Sequence, residues 1–210
     1  MVEEKDIQYA KDEDLERAKA LWKENGRSIV AGVVIGLSSI AGYNFWQSYE
    51  KSQGENASSL YEQLINAEST GASTQTIADA IRSDFSKTPY AIHSALFMAK
   101  EAVEADQLDK AAEELQWVLN NTEDPGLLHI ARLRLAAVLN ASGKASEVVD
   151  LLAVTDESTF ESHYAELLGD AHAQLGQYDM AKSYYEKSME NAANNIRDLI
   201  KLKLDNLTNS

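Results

Sequence analysis

From Ser28 to Tyr49 the chain runs for 22 residues without a charged side chain, and Arg27 before it and Glu50 and Lys51 after it close the run. At a helical rise of about 1.5 Å per residue such a segment spans roughly 33 Å, enough to cross the hydrocarbon core of a bilayer. Its centre, Ile29 to Ala41, is apolar or small on every side and carries no stripe, as expected of a helix solvated by lipid. Trp22 precedes the run, and Tyr43, Phe45, Trp46 and Tyr49 gather at its far end, where amphipathic rings favour the headgroup region. Two readings compete with a permanent anchor. One is a buried core helix, and the other is a leader cut after the small-x-small pattern Ser39-Ile40-Ala41. The 27 residues ahead of the run carry eight acidic side chains, unlike a short basic leader.

The count of Lys and Arg predicts orientation. Lys11, Arg17, Lys19, Lys23 and Arg27 lie close before the run, whereas Lys51 stands alone over a comparable distance after it. That asymmetry predicts a cytoplasmic tail over 1–27, a transmembrane helix over 28–49 and an external domain over 50–210. Gly32 and Gly36 lie four apart inside the run, a spacing that lets a second transmembrane helix approach closely.

The external part is long enough for one domain with a core of its own. Only 2 prolines and 10 glycines occur in 210 residues, too few for a turn-rich β fold. The absence of cysteine excludes disulfides, thiolate zinc sites, a cysteine nucleophile and a lipidated N-terminal cysteine. From Glu50 onward there are 26 acids against 13 bases, a field that repels nucleic acid and anionic headgroups.

Comparison of the chain with itself finds a repeat. The stretch from Leu168 to Ser188 matches the tetratricopeptide pattern of helix, turn and second helix. Gly169 and Ala173 allow close helix approach, Gly176 suits the turn, Tyr178 is placed to wedge between helices, and Ala181 marks the crossing. Weaker copies turn at Asp106 to Asp109 and at Gly143 to Lys144. Taking Ala111, Val148 and Ala181 as equivalent gives steps of 37 and 33 residues, close to the roughly 34 of this repeat class. First helices are expected over 91–104, 127–141 and 161–175, with Pro89 and Pro125 just before two of them. Segments 57–67 and 76–85 read as an opening pair joined by a loop at Gly71. Segment 195–207 is amphipathic, with Ile196, Leu199, Ile200, Leu202 and Leu204 apolar, and reads as a cap on the last repeat. The expected fold is all-α: one N-terminal transmembrane helix, then a tetratricopeptide-like helical solenoid with a C-terminal capping helix.

The layout as a whole, over roughly residues 15 to 210, resembles the YfgM-type ancillary subunits of the SecYEG translocon. The likeness is carried by Trp22-Lys23-Glu24-Asn25-Gly26, then Gly32 and Gly36, the aromatic residues around Tyr43 and Trp46, the helical repeats, and Lys203 to Leu207. It implies a single-pass inner-membrane protein with its repeats in the periplasm. It further implies association with the Sec translocon and with a membrane-anchored periplasmic chaperone of the parvulin type, in handing over newly translocated proteins.

No phosphate loop, nucleophile elbow, H-E-x-x-H or dinucleotide fingerprint occurs. His93, His129, His163 and His172 lack ligand spacing within a helix, and Glu113 with Glu114 reads as a solvated face. No catalytic residue, cofactor or metal is expected. The concave groove, lined by first helices, supplies the candidate partner-binding residues: His93, Leu96, Lys100 and Glu104 in one repeat, and His163, Glu166, Asp170 and Gln174 in another. These positions make an acidic groove, suited to an apolar or basic segment. The competing function is a membrane-anchored periplasmic scaffold for envelope assembly or signalling without a translocon role.

Overall fold

The computed structural model describes residues 2–70, 73–153, 160–191 and 194–208. Among them there is helix and turn but no strand. The helices are α1 (Val2–Thr70), α2 (Thr74–Asp84), α3 (Pro89–Glu104), α4 (Leu108–Asn121), α5 (Pro125–Ala141), α6 (Ala145–Leu152), α7 (Glu161–Gln174), α8 (Tyr178–Asn191) and α9 (Asn194–Thr208). Two compact units divide the chain, Met1–Gln53 and Gly54–Ser210.

The first unit belongs to α1. Its apolar run is long enough to cross a membrane, and none of that stretch is buried. Ile29, Val33, Ile35, Leu37 and Ile40 are all exposed. The core-helix reading fails on this point, because a core helix has its apolar surface covered by its own chain. Ser39 Oγ donates to Ile35 O at 2.8 Å, so the hydroxyl is satisfied within the helix. The Trp22 indole lies 3.4 Å from where a Cβ on Gly26 would stand, one turn along.

A separate helix over 57–67 does not exist. Those residues are the last part of α1, which continues through residues 50–56. That connecting stretch has no proline, and the single Gly54 costs about 1 kcal/mol relative to alanine, too little by itself to end the helix. Ala57, Leu64 and Ala67 are buried, and Leu64 packs with Ala78 and Ile81 of α2. The expected loop at Gly71 lies outside the described residues.

The pairs α3–α4, α5–α6 and α7–α8 are the three repeats. Each turns through one residue of positive φ: Asp106 (58°), Gly143 (72°) and Gly176 (71°). Each turn closes with the same two backbone bonds. Gln107 N donates to Ala102 O, Lys144 N to Leu139 O and Gln177 N to His172 O, at 2.8, 2.9 and 2.9 Å. The positive-φ residues themselves donate to Val103, Asn140 and Ala173 at 3.0 to 3.1 Å. This is the Schellman closure, repeated at the steps of 37 and 33 residues that the sequence predicts. Ala111, Val148 and Ala181 are each 0% exposed, as equivalent crossing positions require. Pro89 and Pro125 lie inside the first turns of α3 and α5, not ahead of them, since proline at N1 loses no helical bond. Asp124 caps α5 by accepting from Leu127 N at 2.9 Å.

Two expectations need correction. Tyr178 does not wedge between helices: it is 46% exposed, and Tyr185, about two turns further along α8, fills the crossing instead. On α9, Ile200 is fully buried and Leu204 and Leu207 pack beside it, but Leu199 and Leu202 stay exposed. A helix docked along one edge covers only the narrow stripe that meets its neighbour.

Candidate partner-binding surfaces

On α3, positions 93, 96, 100 and 104 follow helical spacing, and the fold turns them to one side. His93, Leu96, Lys100 and Glu104 line a single cleft of about 610 Å³, together with Tyr61 of α1 and Arg134, Ala137 and Val138 of α5. Its floor is apolar and buried, through Ala99, Leu115 and Val138, while Lys100, Glu104 and Arg134 are exposed. Lys100 Nζ lies 3.6 Å from Glu104 Oε1 and 5.8 Å above the Phe97 ring. Tyr61 and His93 rings approach to 6.2 Å, and burial pushes the Tyr61 hydroxyl above its usual 10.0. The groove at this repeat is not acidic, contrary to expectation. Arg134 enters from α5, whose contribution to the groove is invisible when the repeats on either side are taken alone.

The second candidate set, on α7, is engaged within the fold. Lys203 Nζ of α9 donates to Glu166 Oε1 and Asp170 Oδ2, each at 2.8 Å. Tyr185 Oη donates to Asp170 Oδ1 at 2.7 Å, and Gln174 Nε2 to Asn140 O at 3.1 Å. Burial works to lower the Lys203 pKa, but the bonds to Asp170 and Glu166 outweigh it and hold the ammonium above its usual 10.5. His163 remains exposed.

A family model described as tetratricopeptide repeat-like domain matches residues 19–209. The ancillary SecYEG translocon subunit of Aggregatibacter actinomycetemcomitans is 30% identical, over 93% of this chain and 97% of its own length. The chain belongs to this family. Proteins of the same description in Haemophilus influenzae and Escherichia coli are 29% and 26% identical, covering 93% and 97% of this chain and 97% and 99% of their own lengths. No solved structure matches the chain.

In this chain, Gly32 and Gly36 lie on one side of α1 with open space where each Cβ would stand. Among the described residues, no group of three or more His, Asp or Glu side chains is placed to hold a metal ion. Glu114 corrects a further expectation. It is 6% exposed and pairs with Arg82 of α2, whose guanidinium lies 4.8 Å above the Trp117 ring, while Glu113 faces outward. Neighbouring helix positions point about 100° apart, so two adjacent acids need not share an environment.

Proposed function

We propose that this protein is a non-catalytic, single-pass inner-membrane subunit that accompanies the SecYEG translocon and tethers periplasmic chaperone activity to newly translocated chains. The observation that carries this reading is the extent of the likeness. Relatives named for the translocon match over 93% to 97% of the chain, so the matched stretch takes in the apolar run as well as the repeats. The cation asymmetry around the apolar run favours a cytoplasmic tail over 1–27, a transmembrane helix over 28–49 and a periplasmic domain over 50–210.

Within this scheme Gly32 and Gly36 meet a transmembrane helix of a partner. The cleft of His93, Leu96, Lys100 and Glu104 takes a partner segment, the parvulin-type chaperone being the first candidate. Glu166, Asp170 and Gln174 already have partners inside the domain, which favours the cleft over the second set. Anchoring confines the protein to the membrane plane and raises the effective concentration of cleft and partner, so modest affinity suffices.

Photocrosslinkers at Gly36 and at Lys100 in native membranes test the proposal. A translocon subunit is expected from the first and a periplasmic chaperone from the second; recovery of neither would sink it. Protease added to inverted inner-membrane vesicles should leave the repeat domain intact, and its digestion would reverse the orientation.

A further inference from the structure

The cleft beside α3 carries a charge balance opposite to that of its surroundings. The chain has a net charge of −15, yet the cleft sets Lys100 and Arg134 against Glu104 alone. Glu104 partly neutralises Lys100 at 3.6 Å. Arg134 has no hydrogen bond or ion pair among the described residues. Below the two cations lies apolar wall: Leu96, Phe97, Val103, Ala137 and Val138. A hollow of about 610 Å³ is large enough for two or three side chains of a bound segment. The lining residues include no Asn, Gln, Ser or Thr, so the side-chain amides that would grip a peptide's terminal carboxylate are missing from it.

We infer that this cleft binds an internal apolar segment of a partner protein that carries one acidic side chain, with the apolar residues seated between α3 and α5 and the carboxylate paired with Arg134. The inference rests on the proposal that the cleft is a partner-binding surface, and adds the chemistry of what enters it. A planar guanidinium pairs a carboxylate through two parallel bonds, which fixes the segment's register as well as its sign. The acidic field of the surrounding domain repels a segment with several carboxylates, while a single one opposite Arg134 gains locally.

The test uses the full-length protein in mild detergent and fluorescence anisotropy with a short blocked peptide of Leu, Ala and Phe bearing one central Glu, beside its Gln twin. The Glu peptide is expected to bind about fivefold tighter at low salt, the gap closing as salt rises. Arg134→Met should bring the Glu peptide to the level of the Gln twin and leave the twin unchanged, and Arg134→Glu should reverse the preference. Equal binding of the twins, or a preference that survives Arg134→Met, overturns the inference. Val103→Asp, at an exposed wall position, separates the two levels. If the twins bind equally and both are lost in Val103→Asp, the acidic-segment inference falls and the cleft stands; if neither peptide is affected, the cleft itself falls.

Discussion

A Cβ built on Gly169 of α7 would lie 2.5 Å from Cδ1 and Cε1 of Tyr185 on α8. The ring cannot swing aside freely, because its hydroxyl is tied to Asp170 at 2.7 Å. Gly169→Ala should therefore destabilise the domain by about 1–3 kcal/mol through overpacking, read as a lower Tm. The pair Gly169→Ala with Tyr185→Leu should recover most of the loss, and an unchanged Tm for the single variant would contradict the close approach.

Asp106 occupies with a side chain the left-handed position that Gly143 and Gly176 occupy without one. Asp106→Gly should stabilise by roughly 0.5–1 kcal/mol, and Gly176→Ala should cost about as much. Urea denaturation with an unchanged slope is the measurement. A loss in Asp106→Gly would mean that the carboxylate has a role beyond the turn.

Arg82 and Glu114 form an ion pair largely removed from water, with the Arg82 Nε buried and unpartnered. Burial drives the Glu114 pKa above its ordinary 4.5, although Arg82 pulls it down. Arg82→Met should cost about 3–5 kcal/mol by stranding the carboxylate, and the double change Arg82→Met with Glu114→Met should restore much of it. A raised pKa means that the folded state holds its proton more tightly than the unfolded chain. Stability of Arg82→Met should therefore rise as pH falls toward 4.5, opposite to the usual acid weakening.

The contact of α9 with α7 should be sensitive to alkali. Lys203 is held above 10.5, and the Tyr185 hydroxyl is raised above 10.0 by burial, then by Asp170. Both raised values contribute stability that is complete below the ordinary pKa and is lost as pH climbs through the folded one. The protection of α9 amides, measured as exchange relative to the base-catalysed intrinsic rate at each pH, should be constant up to about pH 10 and fall above it. Lys203→Met should remove the Lys203 part of that transition, leaving the part due to Tyr185, and cost about 2 kcal/mol at neutral pH.

What the sequence made legible is what local spacing encodes. The apolar run, the turns at Gly143 and Gly176, and the buried equivalents Ala111, Val148 and Ala181 each follow from a few neighbouring residues. The placing of His93, Leu96, Lys100 and Glu104 on one cleft is likewise a matter of helical period. The rest was hidden by distance along the chain. Arg82 meets Glu114 across 32 positions, and Lys203 meets Asp170 and Glu166 across 33 and 37. No periodicity announces such pairs. Arg134 escaped for a different reason: the α5 face is set by how its pair stacks on α3, which the repeat spacing alone leaves open.

Asp106, Gly143 and Gly176 give the three repeat hairpins the same locked bend, so a change in the spacing of the array falls on the links from one hairpin to the next. Those links differ, with residues 122–124 joining α4 to α5 and residues 153–160 joining α6 to α7. Insertions there would swing all later hairpins together while sparing each hairpin's interior, in the manner of a spacer between fixed elbows. The link between Asn121 and Pro125 is thus where the reach of the later hairpins can be retuned without rebuilding anything they carry.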